Sequence, residues 1–154
     1  MKETIEKAKE ELKRADHLYY VSLKYTKTVD VIKSIIERLI NAFDFAIDAL
    51  FLYLQKKKKV KEIPTSPLTK CVEIKKLFPD DQQFLDDIDF YVLLRRIIKA
   101  DYTSAREFRK NVTMSVNLED NILDINIEIL LGYFRRTKNF VDKAYNLIYG
   151  IKDE

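Results

Sequence analysis

Residues 28–55 read TVDVIKSIIERLINAFDFAIDALFLYLQ, and their periodicity sets the architecture of the whole chain. Val29, Ile32, Ile35, Ile36, Leu39, Ile40, Phe43, Ala46, Ile47, Leu50, Phe51 and Leu54 recur mostly at helical steps, and Phe45 widens the apolar face further. Polar residues keep to one narrow stripe: Ser34, Glu37, Asn41, Asp44, Asp48 and Gln55. A helix apolar over most of its circumference must be surrounded. The stretch is therefore predicted to be the central helix of a bundle or part of a subunit interface, with Thr28 as its N-cap.

Upstream, Ile5, Ala8, Leu12, Ala15, Tyr19 and Ser22 or Leu23 line one face of a helix over residues 3–24. Downstream, the run Lys56–Lys59 with Lys61 meets the negative end of the helix dipole and leads into a loop at Pro64–Pro67. Ser66 before Pro67 is an N-cap with proline at the first helical position, opening a short helix over 67–77. Asp80 with Gln83 resembles a capping box for a helix running to Lys99, and Ser104 with Glu107 repeats that signature before a short segment Phe108–Val112. Asn117 with Asp120 precedes a last long helix over 118–149. It places Leu118, Ile122, Ile125, Ile129, Tyr133, Phe140, Ala144 and Leu147 on one side, with Gly132 at a close helix contact.

The only glycines are Gly132 and Gly150 and the only prolines Pro64, Pro67 and Pro79, which leaves little material for tight hairpins. The expectation is an all-α antiparallel helical bundle of three long helices plus two or three shorter ones, a single domain over 1–154. At this length, with 47% of residues apolar, folding can bury roughly two thirds of the unfolded surface in one core.

A net charge of +3 is too mild to advertise nucleic-acid binding by itself. Cys71 is the one cysteine, so no internal disulfide forms and a cytoplasmic setting is expected. The charged residues from Met1 to Lys13 and the absence of any long apolar run exclude a signal peptide and a membrane span from the reading.

Several chemistries lack their residues. Asp44 with Asp48, and Asp124 with Glu128, lie one turn apart in the predicted helices, but carboxylate-bridged metal bundles also use a histidine three residues after a glutamate. His17 is the sole histidine and Arg14 stands three residues before it, so no metal or cofactor is expected. His17 reads as a surface or structural histidine and Cys71 as packing. No serine sits in a GxSxG turn, and two distant glycines cannot build a phosphate-cradling loop.

Charge is unevenly spread along the chain. Residues 78–90 carry Asp80, Asp81, Asp86, Asp87 and Asp89 with no cation, whereas residues 91–116 carry Arg95, Arg96, Lys99, Arg106, Arg109 and Lys110 against Asp101 and Glu107. Tyr91, Tyr102 and Phe108 are interleaved with those cations. Guanidinium groups beside aromatic rings suit RNA and also suit a protein interface, while solvated helix faces and internal ion pairs give the same composition. Candidate binding residues are Arg95, Arg96, Lys99, Tyr102, Arg106, Arg109 and Lys110.

KAKEELKRADHLYY at 7–20, IIERLINAFDFAIDALFLYL at 35–54, LLRRIIKADYTSAREFRKN at 93–111 and the closing amphipathic helix together resemble the HEPN superfamily. These are helical-bundle proteins of prokaryotic defence and toxin systems and of nucleotidyltransferase partners. The resemblance is one of helix order and texture over most of the chain. It implies a homodimer, and in active members an arginine followed four to six residues later by a histidine that acts on RNA. Arg109 stands where that arginine would, but Met114 lies five residues on and no histidine follows His17. The resemblance therefore implies a non-catalytic member that binds RNA or a partner protein through its basic segment. The alternatives are a purely structural homo-oligomer assembled through the apolar helix, and a metal-dependent nuclease using Asp44, Asp48, Asp124 and Glu128.

Overall fold

A computed structural model describes residues 1–150; residues 151–154, the end of the predicted single domain, lie outside the described ones. The elements are α1 (Lys2–His17), a π-helical turn (Leu18–Ser22), α2 (Leu23–Tyr25), α3 (Val29–Lys56), α4 (Pro67–Leu77), α5 (Gln82–Lys99), β1 (Tyr102–Ala105), β2 (Thr113–Asn117), β3 (Ile122–Ile125) and α6 (Ile127–Tyr149).

The central position of α3 follows from its composition: Ile32, Ile35, Ile36, Leu39, Phe43 and Phe51 are all 0% exposed, and α1, α5 and α6 pack around them. The apolar circumference read as a possible subunit interface is thus covered within one chain. Phe43 ties three helices together, its ring centroid lying 5.9 Å from Phe90, 5.4 Å from Tyr91 and 4.7 Å from Phe140. Thr28 and Ser66 cap as expected, Thr28 Oγ1 accepting from the Val31 N–H at 3.4 Å and Ser66 Oγ from the Thr69 N–H at 3.2 Å. In α5 the cap is Asp81, one residue later than Asp80, and it accepts from the Phe84 N–H at 3.1 Å.

Helix α1 leaves α-geometry at Leu18, where the Leu23 N–H reaches back to the Leu18 carbonyl. That i→i+5 bond inserts one residue into the turn. Between the two positions the sequence left open, it is Leu23 that is buried, at 1% exposure, while Ser22 is half-buried.

The all-α expectation is corrected between α5 and α6. The segment folds into a three-stranded antiparallel sheet, ordered β1-β2-β3, with Tyr102 opposite Val116, Ser104 opposite Met114 and Met114 opposite Ile125. Met114, Val116 and Ile125 share the face that is fully buried. Ser104 is consequently a strand residue and not a cap, and Phe108–Val112 is a turn and not a helix. Leu118, Ile122 and Ile125, counted into the last helix, precede it. Its N-cap is Asn126, whose side-chain oxygen accepts from the Ile129 N–H at 2.8 Å.

The scarcity of glycine did not prevent hairpins, because Arg106, Phe108 and Glu119 occupy the left-handed region themselves, at φ of 55°, 66° and 69°. At the β2–β3 turn the Asn117 side chain stabilises this by accepting from the Glu119 N–H at 3.2 Å, an Asx turn. Gly132 marks no close helix contact, since a Cβ built there meets nothing within 4 Å. No described helix is long and apolar enough to cross a membrane.

Candidate functional site

The acidic and basic blocks meet different fates in the fold. Asp81 pairs with Lys143, Asp89 with Lys75, and Asp87 lies 3.4 Å from Arg136, so cations from α4 and α6 neutralise much of the acidic block. Arg136 also donates to the Asp86 carbonyl at 3.2 Å and covers the Phe90 ring at 4.6 Å.

The seven candidate binding residues divide along the chain. Arg95 turns inward, 3.8 Å from the Asp44 carboxylate and 3.3 Å from the Tyr91 hydroxyl. Arg96 lies 3.7 Å from Asp120 and donates to the Leu118 carbonyl at 3.3 Å. Beside it Lys99 lines a groove of about 500 Å³ that also holds Asp101, Asn117 and Glu119, so the groove carries both signs of charge. Tyr102 lies in β1, with the Lys33 ammonium 5.3 Å from its ring centroid.

Arg106, Arg109 and Lys110 are exposed in the β1–β2 loop and form no ion pair among the described residues. The loop is held by its backbone. The Phe108 N–H donates to the Lys27 carbonyl at 2.6 Å, the Arg109 N–H to the Arg106 carbonyl at 3.2 Å and the Val112 N–H to the Arg109 carbonyl at 3.0 Å. Glu107 Oε1 accepts from the Val29 N–H at 3.3 Å, so the one carboxylate in the loop faces the positive end of α3. Val112 then anchors the loop in the core at 0% exposure.

This docking places the loop against the corner between α2 and α3, which the sequence reading did not include. Lys24, Lys27 and Lys33 add three cations to Arg106, Arg109 and Lys110, and none of the three is ion-paired among the described residues. Over residues 24–33 and 106–110 six cations face only Asp30 and Glu107, a local charge of +4. Tyr25 and Phe108, at 79% and 73%, are the most exposed of the large hydrophobic residues described. The polar gap Tyr25–Thr28 was the signal available for this corner, and only the fold shows that it adjoins residues 106–110.

A second polar cluster lies between α3, α4 and α5. The Tyr91 hydroxyl donates to the Asp44 carboxylate, and Lys70 is 2.7 Å from Asp48 beside a cavity of about 240 Å³. Burial raises the Asp44 carboxyl above the usual carboxylate range, against the pull of Tyr91 and Arg95, and the same burial together with Asp44 raises the Tyr91 phenol. Burial also pushes the Cys71 thiol up, away from thiolate reactivity.

Asp48 and Asp44 are thus paired with cations from neighbouring helices. Asp124 accepts from Ser115 Oγ at 2.7 Å, and Glu128 sits in the first turn of α6. Among the described residues no three His, Cys, Asp or Glu side chains gather as a metal-binding group. His17 is exposed, and Met114, where the resemblance would seek a histidine, is a core residue at 0% exposure.

Compared with known proteins, the chain matches no family model, no curated protein and no solved structure. The HEPN resemblance gains nothing from these comparisons and rests on the residues quoted for it.

Proposed function

We propose that this protein is a non-catalytic, HEPN-like helical protein that binds RNA through the β1–β2 loop and the α2–α3 corner. One observation carries the reading: the cations of this surface are left without ion pairs among the described residues, whereas Asp81, Asp87 and Asp89 of the acidic block are paired within the fold. Unpaired, solvated cations around a site nearly free of carboxylates attract phosphates and release their counterions on binding. The missing histidine leaves proton transfer at a ribose hydroxyl without an occupant. A homodimer, which the resemblance implies, and a cytoplasmic location, expected from the lone cysteine, belong to the same proposal.

Fluorescence anisotropy of labelled RNA, titrated at low and moderate salt with the strands recovered afterwards, tests it. Intact strands bound with an affinity falling roughly tenfold between about 50 and 200 mM salt fit contacts to a few phosphates. Arg106→Ala and Arg109→Ala should each weaken that binding while helical content stays unchanged. Cleaved strands would restore the enzyme reading, and absence of binding at low salt would remove the RNA reading.

A protein partner has its own supporting observation. All four residues of β1 are exposed at the edge of the sheet and none is charged, so the strand can accept another in the manner of edge-strand addition. The salt-dependent titration separates the two, because main-chain pairing carries no counterion release.

A further inference from the structure

We infer that the RNA bound here is single-stranded and that Phe108 and Tyr25 act as stacking platforms for its unpaired bases. This rests on the RNA-binding reading and specifies the form of its ligand. Three observations converge on it.

The first is exposure: Phe108 and Tyr25 are 73% and 79% exposed, in a chain whose core buries Phe43, Phe51, Tyr91 and Phe140 almost completely. Each residue is largely solvent-exposed, and each has cations close by in sequence, Arg106, Arg109 and Lys110 around Phe108, and Lys24 and Lys27 around Tyr25. Lys24 lies 6.0 Å from the Tyr25 ring centroid. Rings interleaved with cations are what binds unpaired nucleotides, the rings taking the bases and the cations the backbone phosphates. In a duplex the base faces are already stacked, so such rings add nothing to duplex binding.

The second is backbone conformation. Phe108 is left-handed at φ 66°, a region a bulky L residue rarely occupies, and Arg106 is left-handed at 55° in the same loop. Such a conformation persists only where its surroundings impose it, and it is concentrated at binding and switch sites. What imposes it here is the bond from the Phe108 N–H to the Lys27 carbonyl, 2.6 Å long, which seats the backbone inward while the ring remains in solvent. The ring makes no contribution to the core that would explain the strain.

The third is juxtaposition. That same bond fixes Phe108 beside the segment that carries Tyr25, two residues before Lys27. Two exposed rings from segments about 80 residues apart in sequence are thereby carried on backbone segments joined by that bond, both of which carry cations without ion pairs among the described residues.

The test compares wild type with Phe108→Ala, Tyr25→Ala and Arg109→Ala by anisotropy. The probes are a fluorescein-labelled 12-mer of uridine, a duplex RNA of the same length, and an abasic strand of the same length that keeps the phosphates and lacks the bases. Circular dichroism confirms that each variant keeps its helices. Stacking predicts that wild type prefers the uridine strand to both other probes. It also predicts that Phe108→Ala and Tyr25→Ala each lose roughly ten- to hundredfold on that strand without a change in salt slope. Arg109→Ala weakens all three probes. If Arg109→Ala weakens binding while the two aromatic variants bind as wild type, or if the abasic strand binds as tightly as uridine, stacking is wrong and the RNA reading survives. If wild type binds none of the probes at low salt, both fail together.

Discussion

Glu107, in the β1–β2 loop, accepts a hydrogen bond from the backbone N–H of Val29 at a distance of 3.3 Å, so a sheet loop helps cap the central helix of the bundle. The first amides of a helix have no intrahelical partner, and a carboxylate there also meets the positive end of the dipole. Glu107→Ala should cost about 1 kcal/mol in chemical denaturation. It should also speed hydrogen exchange at the Val29 and Phe108 amides. An unchanged midpoint would mean that Thr28 caps α3 without help.

Phe108→Gly separates strain from function. Releasing a left-handed phenylalanine relieves about 1 kcal/mol, partly offset by the freedom glycine gains in the unfolded chain. The variant should therefore be as stable as wild type or slightly more so, while losing single-strand affinity. A clear drop in stability would show that the ring is held by packing.

Arg136→Ala should be pH-dependent. Asp87 is buried, and burial holds its carboxyl above the usual range despite hydrogen bonds from Gln83 and Arg136. A carboxyl that binds its proton more tightly in the folded state favours folding increasingly as pH falls through its folded pKa. Loss of Arg136 raises that pKa further. The substitution should cost about 2 kcal/mol at neutral pH, where the carboxylate is left uncompensated, with a smaller deficit at acidic pH, where the carboxyl takes up its proton. Urea melts of both proteins at the two pH values give the comparison; an equal deficit at each would mean that Arg136 acts only through its cover of Phe90.

Met114→His, which writes in the histidine that an active HEPN member would carry, should destabilise and not activate. Met114 is 0% exposed in the sheet's inner face, and a buried imidazole there without partners costs roughly 2–4 kcal/mol. RNA cleavage by a stably folded M114H protein would show that this side chain reaches the surface after all.

Helix α3 was legible because 28 residues of near-continuous apolar periodicity admit one arrangement, and Thr28 and Ser66 were legible because capping chemistry is local. The strands were not. Their turns lack the glycine that usually marks a hairpin, the left-handed positions being filled by Arg106, Phe108 and Glu119. In addition Leu118, Ile122 and Ile125 stand at helical spacing ahead of α6, although Ile122 points to solvent and Ile125 to the core. The basic segment was legible as composition. Which of its members face solvent was not, because pairing of Arg95 with Asp44 spans 51 residues and pairing of Arg96 with Asp120 depends on a turn the sequence did not announce.

The π-helical turn at Leu18–Ser22 acts as a phase correction. Ile5, Ala8, Leu12 and Ala15 follow a regular beat, and continued α-winding would carry that beat to Ser22, leaving Leu23 rotated by about 100°. One surplus residue absorbs the rotation, so both ends of the first helix reach the same core. A deletion of any single residue within 18–22 would restore ideal winding and yet set the two ends at odds, either withdrawing Leu23 and its Tyr25 neighbour or turning Ile5 and Ala8 toward water. The irregular turn is the part of this helix least open to shortening.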